Sequence, residues 1–210
     1  MMVLVVTGGI GSGKSLVCRM LHERWNLPVY DADSRVKALY MEHPTLLADI
    51  ETALGCVLRD GNGQFVPQML AERIFSDSAA MEKVEALVFP ALLDDFRAFS
   101  SAMEGTVVFE SATILEKPQF DGFGDKVMFV DAPMDLRLER ACMRDGSSRE
   151  RILDRIESQK LVNSLCGKPA GGRIDAVVVN DGTVQELQER VDEAFAAVSG
   201  KNVQDNILNN

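Results

Sequence analysis

Positive charge is scarce in this sequence of 210 residues. Lysine and arginine number 22 against 32 aspartate and glutamate residues, which leaves a net charge of −10 with histidine neutral. A general nucleic-acid-binding protein carries a basic face, so we expect no nucleic-acid partner. The acidic excess does not exclude phosphorylated ligands, because a local cluster of donors can hold a phosphate inside an acidic protein.

Long apolar runs and paired cysteines are also missing. No apolar stretch approaches the roughly 20 residues that span a bilayer, so we expect no membrane partner. The sequence enters an apolar strand pattern at once, without the features of a signal peptide. A disulfide framework or a zinc site would need closer cysteine spacing than this chain has. These absences predict a cytoplasmic protein with reduced thiols. The cysteines are Cys18, Cys56, Cys142 and Cys166.

A phosphate-binding loop is the most informative motif that the sequence does contain. Residues 8–15 read G-G-I-G-S-G-K-S and fill every fixed position of the pattern G-x-x-x-x-G-K-[S/T]. Glycines let the backbone approach a ligand, so that successive N–H groups wrap an anion. Lys14 supplies a cation for the β- and γ-phosphates, and the Ser15 hydroxyl suits Mg²⁺. The loop predicts binding of a nucleoside triphosphate and leaves kinase, ATPase and GTPase open.

Short apolar segments alternate with helical patterns along the chain. The predicted strands are residues 3–7, 28–30, 106–110, 127–130 and 176–179. This alternation predicts an α/β fold, a five-stranded parallel sheet flanked by helices. The long gap after the second strand predicts an inserted helical substrate domain. The helical patterns within it cover residues 36–40, 45–54, 67–74 and 78–99.

Acidic residues follow three of the predicted strands. Asp31 and Asp33 follow the second strand, at the edge of the sheet where open α/β proteins bind ligands. Either carboxylate could accept a proton from a substrate hydroxyl, or Asp33 could instead be the N-cap of the next helix. Glu110 ends the third strand, and Asp131 follows the fourth as in a Walker-B strand. Which of these two lies nearer a metal depends on the strand order, and either could be a turn residue.

Three arginines recur at helical spacing before Gly146. Arg137, Arg140 and Arg144 stand at i, i+3 and i+7. Arginine forks suit bidentate phosphate contacts, and a mobile lid bearing them would neutralise charge and exclude water. The alternative is a solvated face paired with acidic neighbours. Because a phosphate loop is present, the pattern favours a helical lid in which Arg140 and Arg144 contact the ligand.

These motifs together resemble the dephospho-CoA kinase family over nearly the whole chain. The loop is shared with other P-loop kinases, and the more specific motifs are those that accompany it. They are D-A-D at 31–33, R-x-x-x-R-D at 140–145, R-I-x-x-Q at 155–159 and N-D-G-T at 180–183. The resemblance implies that ATP, with Mg²⁺, phosphorylates the ribose 3′-hydroxyl of dephospho-CoA. The products would be CoA and ADP, in the last step of CoA synthesis.

The resemblance also implies domains and residue roles. It implies a nucleotide-binding core (1–34, 104–135 and 172–200), a helical coenzyme-binding domain (35–103) and a lid (136–171). Residues 201–210 are expected to be a disordered tail. The implied catalytic residues are Asp33 as general base, Lys14 and Arg140, and the implied metal ligand is Ser15. The residues implied to bind ATP are Gly8, Gly11, Ser12, Gly13, Lys14, Ser15, Leu16, Arg144, Asn180 and Gly182.

Some positions depart from the family pattern, and other functions stay open. Leu16 stands where the family usually has threonine, and Phe89 stands where a histidine often precedes proline. The segment 112–116 replaces the usual P-L-L-x-E. Another small-metabolite or nucleoside monophosphate kinase is one alternative, and a nucleotide-dependent regulatory switch is another. We expect a monomer or a weak homo-oligomer.

Overall fold

The computed structural model describes residues 1–200, except for the side chain of Ser76. The predicted tail lies outside these described residues. The strands are β1 Met2–Gly8, β2 Val29–Asp31, β3 Thr106–Glu110, β4 Lys126–Asp131 and β5 Ala176–Val179. The α-helices are α1 Lys14–Trp25, α2 Ala32–Glu42, α3 Leu46–Leu54, α4 Pro67–Ser76, α5 Ser78–Ser100, α6 Met134–Asp145, α7 Arg149–Ser158, α8 Lys160–Leu165 and α9 Val184–Ser199. Two 3₁₀ turns, Ile114–Glu116 and Pro118–Phe120, lie between β3 and β4.

The predicted α/β fold with a five-stranded parallel sheet is confirmed. The strand order is β2-β3-β1-β4-β5, and every neighbouring pair is parallel. The β1 strand therefore lies at the centre, with Val5 opposite Phe109 on one side and Val127 on the other. Because all strands run the same way, the loop after β1 and the acidic ends of β3 and β4 meet at one edge.

Two compact units make up the described chain. The first comprises Met1–Asp31 and residues 103–200, and it contains the sheet with α1 and α6 to α9. The second comprises Ala32–Ala102 and contains α2 to α5. Within residues 1–200, no helix combines the length and apolar character that a membrane crossing requires. The three-part division with a lid at 136–171 stays a prediction.

The second unit is organised by its longest helix, α5. Its buried positions recur every four residues, which places them on one face, and the helix packs against α3, α4 and α2. The buried residues are Ala80, Val84, Val88, Leu92 and Phe96. Asp77 caps the helix by accepting hydrogen bonds from the N–H groups of Ala79 and Ala80. An apolar stripe and a capped start are what the sequence pattern of an amphipathic helix predicts.

The start of α2 corrects one expectation. The helix begins at Ala32, immediately after β2, whereas the apolar pattern placed its start near residue 36. Asp33 therefore lies inside the first helical turn, so its alternative role as an N-cap is wrong. The reason is that the first turn after Ala32 consists of the polar residues Asp33, Ser34 and Arg35, so it contributes little to an apolar periodicity.

The core of the first unit closes around Trp25 at the end of α1. The Trp25 indole Nε1 donates to Asp192 Oδ1 at 2.8 Å, and its ring meets Phe195 edge-on. The other carboxylate oxygen of Asp192 accepts from Arg24 Nε at 2.7 Å. Asp192 is buried, so this carboxylate stabilises the packing of α9 against α1 only while both partners are present.

We expect Asp192→Ala to lower the free energy of unfolding by about 1–3 kcal/mol, because it leaves the buried indole N–H without an acceptor. Chemical denaturation measures the change. The matched control is Asp94→Ala, since the Arg97–Asp94 pair has side chains 74% and 72% exposed. The control should change stability by no more than about 0.5 kcal/mol. Equal effects of the two substitutions would contradict this account.

Candidate active site

The phosphate-binding loop leaves its own backbone donors open. Gly13 ends the loop in the left-handed region (φ 97°), and a Cβ there would collide with the Asn180 amide. Gly11 has φ 77°, and a Cβ there would collide with the Arg137 carbonyl. Among residues 1–200, the N–H groups of Gly11, Gly13 and Ser15 have no hydrogen-bond acceptor. Open amides at the start of α1 form a typical anion site.

The side chains of Lys14 and Ser12 point away from solvent, towards other groups of the protein. The Lys14 Nζ donates to the carbonyls of Gly8 at 3.0 Å and Gly9 at 3.2 Å, so the ammonium group lies over the loop. The Ser12 side chain is fully buried, and its Oγ has no hydrogen-bond partner among the described residues. The Ser12 backbone is also paired, because its N–H donates to the Gly9 carbonyl at 3.1 Å and its carbonyl accepts from Asn180 Nδ2 at 2.8 Å.

Ser15 and Glu110 form the side of the site that suits a metal. The Ser15 Oγ donates to Glu110 Oε1 at 2.7 Å across the gap between α1 and β3. Burial raises the pKa of Glu110, and the nearby Asp31 adds to this effect, while the Ser15 hydrogen bond and Lys14 oppose it. A cavity of about 370 Å³ opens here, lined by Ser15, Asp31 and Glu110 together with Cys18, Arg19, His22 and Val29.

Strand order decides between Glu110 and Asp131. The β3 strand places Glu110 against Ser15, whereas both oxygens of Asp131 already accept backbone hydrogen bonds. The donors are the N–H groups of Ala132 at 2.8 Å and Gly167 at 2.7 Å. Glu110 is therefore the carboxylate beside the predicted metal ligand, and Asp131 holds the segment that follows α8.

The arginine side of the loop forms a second, smaller cavity. It has a volume of about 180 Å³ and is lined by Gly11, Gly13, Lys14, Ser15, Leu16, Arg140, Ala141 and Arg144. The Arg140 Nη1 donates to the Asn180 carbonyl at 3.1 Å. The structure thus brings Arg140 and Arg144 together with the loop. Leu16, half-buried, packs against the core of the first unit, which suits an apolar side chain at this position.

Arg144 combines both interpretations of the arginine pattern, since it lines this cavity and also pairs with an acidic neighbour. Its Nε and Nη2 reach the two oxygens of Asp145 at 2.7 and 3.2 Å. Arg155 Nη1 reaches Asp145 Oδ2 at 2.7 Å. The Arg144 fork, together with Arg155, lowers the pKa of Asp145 to about 2. Asp145 therefore remains ionised at neutral pH and competes with any phosphate for Arg144.

Asn180 and Gly182 have structural reasons for their identities. The Asn180 Nδ2 donates to the Ser12 carbonyl at 2.8 Å, and its backbone N–H donates to the backbone carbonyl of Asp131 at 2.8 Å. A Cβ on Gly182 would collide with the Glu186 carboxylate, which closes the capping box of α9 with Thr183. Asn180 thus fixes the Ser12 carbonyl of the loop, and the absence of a side chain at Gly182 leaves space for the Glu186 carboxylate at the start of α9. Their roles in binding ATP stay predictions.

Asp33 lies in the second unit, exposed in the first turn of α2, and its role as a base stays a prediction. The preceding acidic residue, Asp31, belongs to the first unit and lines the cavity that contains Ser15 and Glu110.

Sequence reasoning missed the position of Arg137. Its side chain is only 1% exposed, and its Nε donates to the Ile10 carbonyl at 3.0 Å. Helical spacing groups it with Arg140 and Arg144, but spacing alone does not separate a buried arginine from an exposed one. Gln159, which the sequence showed only as part of a motif, also contacts the loop.

The fold and the site define a P-loop kinase. A solved structure, TT1252 from Thermus thermophilus, is similar to this chain with a TM-score of 0.79 and 28% identity, covering 93% of this chain and 96% of that one. Dephospho-CoA kinase from Campylobacter jejuni shares the fold at a TM-score of 0.64 and 19% identity, covering 94% and 97% of the two chains.

Sequence comparison identifies the family. The family model for dephospho-CoA kinase matches residues 2–186. The dephospho-CoA kinase of Porphyromonas gingivalis is 38% identical over 165 residues, which cover 79% of this chain and 81% of that protein. This chain therefore belongs to the dephospho-CoA kinase family, as its motifs predicted.

The raised pKa of Glu110 predicts how stability depends on pH. The folded protein binds this proton more tightly than the unfolded chain, whose glutamate titrates near 4.5. Wild type should therefore lose stability relative to Glu110→Gln as the pH rises from 4.5 through the raised pKa, and the difference should then be constant. Thermal unfolding across this range measures it.

The matched control for this measurement is Glu104→Gln, because Glu104 is exposed just before β3. Its stability difference from wild type should stay flat over the same range. A Glu110→Gln difference that is equally flat, or that shrinks as the pH rises, would contradict the buried-carboxylate account.

Proposed function

We propose that this chain transfers the γ-phosphate of ATP to the ribose 3′-hydroxyl of dephospho-CoA, and so completes CoA synthesis. Its membership of the dephospho-CoA kinase family supports the reaction. The residue-level proposal depends on one observation. The loop with its open amides faces a cavity with Arg140 and Arg144 on one side, while Ser15 meets the Glu110 carboxylate on the other. This arrangement supplies cations for a triphosphate next to oxygen ligands for a metal.

The triphosphate would be held by the loop amides and by cationic side chains. Lys14 leaves its two loop carbonyls for the β- and γ-phosphates, and Arg140 and Arg144 approach from α6. These groups stabilise charge on the transferring phosphoryl group, and positioning provides much of the rate. Arg144 can contribute because it already lines the cavity while it is paired with Asp145.

The donors around Ser15 fit Mg²⁺. A hydroxyl and a carboxylate are the hard oxygen ligands that this ion prefers. Among the described residues, no cluster of three or more His, Cys, Asp or Glu side chains could hold a metal alone. That suits Mg²⁺, which keeps water ligands and binds substrate phosphates with one or two protein groups. Ser15 and Glu110 would hold it, and the bound ion would neutralise charge on the β- and γ-phosphates.

The acceptor hydroxyl needs a base as its oxygen attacks the γ-phosphorus. The new P–O bond forms as the bond to the β-phosphate oxygen breaks, and the hydroxyl proton passes to a carboxylate. We assign this role to Asp33 on the family resemblance. Asp31 is the competing candidate because it lines the cavity with Ser15 and Glu110. The same proposal includes three further features of the protein. They are a lid formed by residues 136–171, a cytoplasmic location, and a monomeric or weakly homo-oligomeric state.

The direct test is conversion of dephospho-CoA to CoA by the purified protein with ATP and Mg²⁺. Chromatography of the products should show CoA and ADP in equal amounts, with little phosphorylation of AMP, CMP or shikimate. Lys14→Ala is the control for contaminating kinases, and it should remain folded but inactive. Preference for another acceptor would eliminate this proposal. Hydrolysis of ATP without any acceptor would favour the regulatory switch.

Asp33→Asn tests the base. We expect kcat to fall by about 100-fold or more with little change in the KM for ATP, because proton transfer to a placed carboxylate contributes that much. Glu42→Gln, an exposed change at the other end of α2, is the control. Steady-state kinetics of both variants are compared with those of Asp31→Asn. Near-normal turnover by Asp33→Asn, beside an inactive Asp31→Asn, would transfer the role to Asp31.

A further inference from the structure

Ile10, in the middle of the phosphate-binding loop, is held from three directions. Its N–H donates to Gln159 Oε1 at 2.9 Å, and its carbonyl accepts from Arg137 Nε at 3.0 Å. Its side chain packs against a buried cluster from α6 and α7. The cluster residues are Leu138, Ala141, Ile152 and Ile156. A loop that presents its other amides to a ligand is thus fixed at its one large apolar residue.

Gln159 is placed so that both ends of its amide group are used. It lies between α7 and α8 and is 4% exposed. While its oxygen accepts from Ile10, its Nε2 donates to the Ala112 carbonyl at 3.1 Å, just after β3. Because the oxygen and the nitrogen each have a buried partner, the orientation of the side chain is fixed. Gln159 therefore connects the loop to the segment that follows Glu110.

Arg137 has an unusual set of partners for a buried cation. Besides Ile10, its guanidinium donates to Asn163 Oδ1 and Cys166 Sγ, both at 3.3 Å. Within residues 1–200 it forms no ion pair with a carboxylate, although a buried charge normally requires one. A Cβ on Gly9 would collide with this guanidinium, so the loop and the arginine are closely packed. This placement suits a residue that positions the loop better than one that stabilises the fold.

We propose that Arg137 and Gln159 form a clamp on Ile10 that holds the phosphate-binding loop in its binding conformation. They are positioning residues, because they touch the loop and leave the phosphates to the amides, Lys14 and Arg140. A preorganised set of donors binds charge without reorganising at the moment of binding. The clamp acts on the nucleotide side of the reaction, so its kinetic consequences rest on the proposed function. It also ties the loop to α6, which carries Arg140 and Arg144.

Gln159→Leu removes both hydrogen bonds while keeping a side chain of similar size. We expect the dissociation constant for ATP, measured by calorimetry without acceptor, to rise about tenfold, because a buried N–H loses its partner. The KM for dephospho-CoA should change less than about twofold, since the loop groups that the clamp holds are the N–H and the carbonyl of Ile10, beside the nucleotide-binding amides. Lys126→Met is the control because it breaks a partly exposed pair with Asp175 at the opposite end of β4.

Arg137→Lys separates position from charge. It keeps a cation but loses the fork that reaches Ile10, Asn163 and Cys166 together. The clamp predicts weaker ATP binding in this variant too. If Arg137→Lys bound ATP with wild-type affinity, only the positive charge of Arg137 would matter for binding, and the clamp would be overturned. Unchanged ATP affinity in folded Gln159→Leu, or an equal loss for both substrates, would also overturn it.

Hydrogen exchange in the wild-type protein tests the clamp even when a variant fails to fold. Without nucleotide, the Ile10 amide should exchange several-fold more slowly than the Gly11 amide, which has no acceptor among residues 1–200. Equal exchange at the two amides would overturn the proposal. A wild-type protein that binds ATP but leaves dephospho-CoA unphosphorylated would defeat the proposed function alone, because the binding and exchange measurements would still report on the clamp.

Discussion

A phosphate-binding loop must keep its own amides unpaired, and the rest of this site depends on that constraint. A segment with open donors gains nothing from internal hydrogen bonds, so other elements have to hold it. Here Asn180 holds the Ser12 carbonyl, while Arg137 and Gln159 hold the two polar groups of Ile10. These residues lie more than 120 positions away in sequence. Parallel strand order brings them together, because the ends of β1, β4 and β5 are neighbours.

The same edge of the sheet concentrates charges that the protein alone does not compensate. Burial raises the pKa of Glu110, and Arg137 is buried without an ion pair to any carboxylate of residues 1–200. Each is costly for the apo fold, and each suits a site that receives a cation and a polyanion. Burial that is unfavourable for stability is thus consistent with a site that binds a metal ion beside Glu110 and a polyanion at the loop that Arg137 contacts.

Much of this could be predicted because strands and loop have strong local signatures. Apolar runs located all five strands within one or two residues, and the loop motif located the turn between β1 and α1. Strand order is a property of the whole sheet, so only the structure could choose Glu110 over Asp131. Which residues of a helix are buried also depends on segments distant in sequence. Helical spacing therefore could not distinguish the buried Arg137 from Arg140. Gly182 shows the reverse case, in which a capping box explains a residue that the motif assigned to nucleotide binding.

Arg144 is paired with Asp145 and lines the cavity beside the loop, so a bound triphosphate and Asp145 would compete for it. Asp145 holds two arginines, and its pKa of about 2 means that it stays negative at neutral pH. A triphosphate therefore cannot gain Arg144 through protonation of Asp145 and has to compete for it by charge. The triphosphate has the greater charge, and Arg155 would still neutralise Asp145 after Arg144 turned away. On the proposed function, transfer of Arg144 from Asp145 to the triphosphate would therefore depend on relative charge, with Arg155 left on Asp145.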